Sequence, residues 1–74
     1  MVLDLVVTKT DDGYISEVPS IKGCESWAHI EDDAIEKVLE MLRFYIQVND
    51  DFKFRIDLAR KEENKIIYKI FFDK

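Results

Sequence analysis

The first third of the chain alternates short apolar segments with turn-forming residues, the pattern of consecutive β-strands. Residues 2–9 are mostly aliphatic and β-branched, which predicts a partly buried strand. Residues 10–13 predict a hairpin turn, with Asp-Gly supplying the positive-φ positions. A second strand is predicted over residues 14–18 and ends at Pro19, which has no N–H to donate to a ladder. Residues 24–28 predict a short third strand.

The middle of the chain changes to a helical period. From about residue 31 to residue 48, apolar side chains recur at helical spacing and predict one long helix with one wide apolar face. The apolar set is Ala34, Ile35, Val38, Leu39, Met41, Leu42, Tyr45 and Ile46. We expect Val38, Leu42 and Tyr45 to lie in the core. The acidic residues of the first turn suit the positive end of the helix dipole.

Period-two alternation returns after the helix. Residues 52–59 alternate apolar with mostly polar side chains, residues 61–64 predict a turn, and a last strand follows. One face of that last strand carries Ile66, Tyr68, Ile70 and Phe72. The other face carries Ile67 and Phe71 on either side of Lys69. The last strand is therefore apolar on both faces.

An apolar second face has to be covered. One helix can cover only one face of a sheet, and a second copy of the chain is the simplest element to cover the other. We therefore expect a homodimer or a higher homo-oligomer, with Ile67, Lys69 and Phe71 at the interface.

Together these segments predict one α+β domain over residues 1–74. An antiparallel β-sheet packs on one long helix, in the order β-β-β-α-β-β. The length of 74 residues agrees with this prediction, since it is enough for one domain and too short for two.

The charge of the chain narrows the choice of partner. There are 16 acidic and 11 basic residues, for a net charge of −5. An acidic surface repels phosphate backbones, so we expect no direct nucleic-acid binding and favour a basic partner. No apolar run is long enough to span a membrane, the first residues lack a basic leader, and the lone cysteine fits a reducing compartment. We expect a cytoplasmic protein that binds neither a membrane nor a cofactor.

Two pairs of residues are candidates for catalysis. Cys24 and His29 could act as nucleophile and base, but their odd separation places them on opposite faces of an extended strand. Asp4 and Asp57 could share a divalent cation, although no spaced motif of metal ligands accompanies them. We assign neither a catalytic residue nor a metal site.

Trp27 is the aromatic residue of most interest. It shares a strand parity with Glu25 and His29, opposite to the small residues that alternate with them from Cys24 onward. Either parity could face the helix. If the small set faces the helix, Trp27 is exposed, which is the setting in which a tryptophan often dominates the affinity of an interface.

From Gly13 to about Tyr45 the order of features is specific. It runs Gly-Tyr-Ile-Ser-Glu-Val-Pro, a short loop, Gly-Cys, a brief strand and an acidic helix start. This order resembles the HicB antitoxin family, which has a Gly-Tyr strand, Glu-Val-Pro, a Pro-Gly-Cys loop, Gly and Thr before the helix, and a Glu-Glu-Ala helix start. The matching residues are Gly13, Tyr14, Glu17, Val18, Pro19, Gly23, Cys24, Asp32, Asp33 and Ala34.

The chain departs from the family pattern at three positions. Lys22 stands where the family has proline before Gly-Cys, and Ala28 stands where it has glycine before the helix. Ile30 stands where a threonine would cap the helix, and its side chain cannot accept the exposed N–H bonds.

The resemblance implies a fold like a partial ribonuclease H core and a short, stand-alone member without the C-terminal DNA-binding segment. It also implies binding and blocking of a small basic protein, most simply a HicA-like toxin that cleaves messenger RNA. We expect the binding site to comprise Trp27, Glu25 and His29 at the end of the third strand, with Glu31 and Asp32 at the helix start.

Two alternative functions stay open on the sequence. The chain could be a small regulatory or scaffolding module whose partner is not a toxin. It could also be a small hydrolase or nuclease that uses Cys24 with His29, or Asp4 with Asp57.

Overall fold

The alternating segments at the two ends of the chain pair into one sheet in the computed structural model, which describes residues 1–73. The elements are β1 (Val2–Lys9), β2 (Tyr14–Glu17), β3 (Glu25–Ala28), α1 (Glu31–Ile46), β4 (Arg55–Lys61) and β5 (Lys65–Phe71). All neighbouring strands are antiparallel, in the order β3-β2-β1-β5-β4. The predicted α+β class and the β-β-β-α-β-β order are confirmed. No helix within residues 1–73 is both long enough and apolar enough to cross a membrane.

Helix α1 packs on one face of the sheet, over β2 and β3. Its helically spaced residues Ala34, Val38, Leu39 and Leu42 are buried. From the sheet, Leu5, Val7 and Ile70 complete the middle of the core. The core positions predicted for Val38 and Leu42 are thereby confirmed.

Tyr45, which the helical pattern also placed in the core, is 45% exposed, so that prediction is wrong. The step of three residues from Leu42 to Tyr45 falls about 60° short of a full turn, which puts Tyr45 at the margin of the apolar stripe. The helix also ends earlier than the predicted residue 48. Gln47 adopts a left-handed conformation, with φ of 60°, and its N–H donates to carbonyl oxygens of the last helical turn.

An aromatic cluster covers the sheet beyond the end of α1. Phe52 and Phe54 precede β4 and pack edge-to-face, with ring centroids 5.4 Å apart. Phe54 also lies 5.3 Å from Phe72. Arg43 joins the cluster to the helix, since its Nε donates to the Phe52 carbonyl oxygen at 2.9 Å. The predicted alternation over residues 52–59 therefore marks a half-buried face as far as Ile56, although the strand itself begins only at Arg55 and Leu58 is exposed.

Strand β4 extends two residues beyond the predicted end at residue 59 and reaches Lys61. A register shift between Leu58 and Arg60 inserts one residue in this part of β4, so that Arg60 pairs with Ile67 and Lys61 with Ile66. The predicted turn over residues 61–64 is thus shortened at its start. A bulge of this kind leaves no simple period in the sequence.

Gly13 has a different role from the one predicted for it. Within residues 1–73, positive φ occurs only at Gln47 and Gly23, so the hairpin turn does not use the expected Asp-Gly geometry. Gly13 is instead required by close packing. A Cβ atom there would collide with the Ala28 carbonyl oxygen and lie 2.8 Å from the Trp27 ring.

We expect the sheet-facing side and the solvent-facing side of α1 to differ sharply in their contribution to stability. Leu42 is fully buried, and Leu42→Ala should lower the free energy of unfolding by about 2–5 kcal/mol, because it removes packed methyl groups and leaves a cavity. Phe44→Ala is the matched control, since Phe44 is 81% exposed, and should change the same quantity by less than about 0.5 kcal/mol. Urea unfolding measures both, and equal losses would contradict the assignment of the two faces.

Candidate functional site

The face of the sheet opposite α1, which we term the open face, is covered by no other element within residues 1–73. Its apolar side chains are consequently left accessible. Val2 is 52% exposed, Trp27 40% and Ile15 36%. Ile15 and Trp27 stand opposite each other, and Val2 stands opposite Phe71. Because exposed apolar groups that lie together often mark interaction surfaces, this face is the candidate interaction site.

The position of Trp27 follows from the size of its strand neighbours. The helix lies directly on β3, and the small residues Cys24, Ser26 and Ala28 point toward it. The opposite parity, with Glu25 and Trp27, is left on the open face. This is the arrangement in which Trp27 is exposed, one of the two that the sequence allowed.

Trp27 is held in place by its immediate neighbours. Its ring packs against the His29 ring in an edge-to-face arrangement, with centroids 4.6 Å apart. The His29 Nδ1 atom lies 3.0 Å from the Asp12 carbonyl oxygen. Gly13 leaves room for the indole from the hairpin side. The indole is therefore a packed surface group, not a freely rotating one.

The hairpin places two further residues beside Trp27 that the sequence analysis did not assign. Ile15 is directly opposite Trp27, and Glu17 is directly opposite Glu25. A shallow depression lies between Ile15, Glu25 and Trp27. The sequence predicts which residues of each strand share a face. It does not predict the register that places these four residues together, because that register depends on the conformation of the loop between β2 and β3.

Not all of the predicted partner-binding residues belong to this group. Trp27, Glu25 and His29 lie together, whereas Glu31 turns to the helix side of the sheet and accepts a hydrogen bond from the Tyr68 hydroxyl at 2.9 Å. Burial, with the hydrogen bond to Glu31 as a second cause, raises the pKa of Tyr68 to about 12. Asp32 is exposed in the first turn of α1, on the helix side of the sheet and away from the open face.

The residues predicted to form an oligomer interface do share one surface. Ile67, Lys69 and Phe71 alternate along β5 on the open face. The Arg55 guanidinium carbon lies 4.5 Å from the centroid of the Phe71 ring. Lys69 donates to the Asp4 carboxylate at 2.5 Å. This half of the open face is thus apolar with a cationic border.

The residues considered for catalysis differ in burial or lie beside a cation. Cys24 is buried against α1, with its Sγ 3.9 Å from the Val38 carbonyl oxygen, and burial raises the pKa of its thiol. His29 is exposed. Lys69 stands in register with both Asp4 and Asp57 and lies between their strands. No group of three potential metal ligands occurs among residues 1–73.

Comparison with known proteins gives one stretch of similarity. A UPF0150 protein of Archaeoglobus fulgidus is 38% identical over 45 residues, which make up 60% of this chain. The chain spans 65% of the length of that relative. No protein-family model matches the chain, and no solved structure matches it significantly.

The burial of Tyr68 and its hydrogen bond to Glu31 predict that the free energy of unfolding falls at alkaline pH. Because the folded state raises the Tyr68 pKa from 10.0 to about 12, the unfolded state releases the phenol proton at lower pH than the folded state. The contribution of Tyr68 is therefore complete below pH 10 and is lost as the pH rises toward 12. Tyr68→Phe has no phenol proton and should lack this part of the slope. Urea unfolding at a series of pH values measures it, and identical slopes for both proteins would contradict the assignment.

Proposed function

We propose that this protein is a binding module of the HicB antitoxin type that sequesters a small basic protein, with a HicA-like messenger-RNA-cleaving toxin as the partner. The observation that carries the proposal is the exposed pair of Trp27 and Ile15, bordered by the carboxylates of Glu17 and Glu25. The resemblance of residues 13–34 to the HicB family supports the same partner class.

The chemistry of this surface suits a cationic protein. An aromatic anchor that is already packed loses little conformational freedom on binding, so most of its buried area contributes to affinity. Glu17 and Glu25 can each accept hydrogen bonds from an arginine or lysine at the rim of the tryptophan contact. The net charge of −5 also accelerates the approach of a basic partner.

The same charges explain how binding would block a ribonuclease. A ribonuclease attracts RNA through cationic side chains that contact phosphates. Paired carboxylates on the open face present negative charge to those side chains and compete with the phosphates for them. A cytoplasmic location, where messenger RNA is translated, is part of this proposal.

Calorimetry with the purified toxin tests the proposal. Trp27→Ala should cost about 2 kcal/mol or more of binding free energy, which is roughly a 30-fold increase in the dissociation constant. Affinity for the wild-type protein should fall as salt rises, because the carboxylate contacts are screened. Phe44→Ala is the matched control, since it removes an exposed aromatic residue from α1 and should leave the affinity unchanged.

Two results would count against the proposal. A folded double variant, Trp27→Ala with Glu25→Ala, that binds the toxin as tightly as the wild type would remove the site assignment. Failure of the wild type to bind the toxin, and to protect RNA from it, would remove the antitoxin function itself.

A further inference from the structure

The open face carries opposite charges on its two halves. Strands β2 and β3 contribute Glu17 and Glu25 to it and no cation. On the other side of β1, the open-face cations of β4 and β5 outnumber their one carboxylate, Asp57. Those cations are Arg55, Arg60, Lys65 and Lys69. The face therefore runs from an acidic edge to a basic edge across the central strand β1, whose one open-face charge, Asp4, is paired with Lys69.

A single row of paired residues displays this gradient. In register across the sheet it contains Glu25, Glu17, Val6, Ile67 and Arg60. The carboxylates stand at one end, the guanidinium stands at the other, and the middle is β-branched and apolar. In a reversed copy of this row Arg60 stands opposite Glu25, about one strand spacing from Glu17, and Val6 stands opposite Val6.

We propose that the open face is the interface of a homodimer, in which a second copy of this chain packs face to face about a two-fold axis parallel to β1. Rotation about that axis lays β2 and β3 of one copy over β5 and β4 of the other. Glu25 then approaches Arg60 of the second copy, and Val6 packs on Val6 of the second copy.

The charges select this axis. A two-fold axis in the plane of the sheet but perpendicular to the strands would lay β3 over β3 and β4 over β4. Carboxylates would then meet carboxylates and cations would meet cations, and this repulsion disfavours that axis. The parallel axis instead brings Glu25 of each copy to Arg60 of the other at both edges, with Val6 and Ile67 between them.

The polar groups near the axis are compatible with burial between two copies. Each Asp4 brings its own cation, because Lys69 donates to its carboxylate. Arg60 is bonded to Glu62 at 2.8 Å, but a guanidinium has five N–H donors and can bind a second carboxylate. Asp4, the charge nearest the axis, is thus not left unpaired between two copies.

Reversal of charge on each half gives the sharpest test. The acid-reversed variant is Glu17→Lys with Glu25→Arg, and the base-reversed variant is Arg60→Glu with Lys65→Glu. In sedimentation experiments at tens of micromolar, the wild type should be a dimer that dissociates as salt rises. Each variant alone should have a dissociation constant raised about tenfold or more, while an equimolar mixture of the two should form the heterodimer.

Replacement of an apolar residue tests the same interface without reversing charge. Phe71→Lys should produce a monomer that keeps its circular dichroism spectrum. Leu58→Lys is the matched control, because Leu58 is 57% exposed on the opposite side of the sheet, and it should stay dimeric. If Phe71→Lys does not fold, the charge-reversed pair decides the question.

Three outcomes would overturn the inference. They are a wild type that is monomeric at tens of micromolar, charge-reversed variants that each dimerise as the wild type does, and a mixture that stays monomeric. The inference is independent of the antitoxin proposal. The base-reversed variant separates the two, because it should lose the dimer and retain the basic partner.

Discussion

One helix covers only one face of the five-stranded sheet, and this decides which side chains are buried and which are exposed. Helix α1 has 16 residues, so it is about 24 Å long and lies on β2 and β3. The aromatic residues of the segment before β4 fill the space that the helix does not reach on the same side. No segment within residues 1–73 is left to cover the other side, so Trp27 and Phe71 lie on a surface open to a partner.

The size of a few side chains decides which face receives the helix. Ser16 is buried beneath α1 and its hydroxyl donates to the Ala34 carbonyl oxygen at 2.6 Å. Cys24 and Ala28 continue this layer of small residues on β3. A large side chain at these positions would force α1 away from the sheet, so Trp27 is confined to the opposite parity. The same packing that closes the core therefore creates the exposed site.

Sequence periodicity predicts which side chains share a face of a strand or helix more securely than it predicts where the element ends or how the strands pair. The alternation on β5 places Ile67 and Phe71 together correctly, because strand parity is a local property. The choice of face for Trp27 depended on α1 packing against β3, which no local pattern records. Glu17 was missed because its place beside Glu25 depends on the register of the hairpin. The left-handed Gln47 and the bulge after Leu58 likewise have no signal in composition or period.

The two proposed occupants of the open face, a basic protein and a second copy of the chain, would both bring cations to its acidic half. The acidic half, with Glu17 and Glu25, meets cations in either case: those of a basic protein, or those that β4 and β5 of a second copy present. Both occupants would bury Trp27 and Ile15, so one copy of the site cannot hold both at once. Partner binding would therefore separate the dimer, and the free energy of dimerisation would be subtracted from the affinity for the partner.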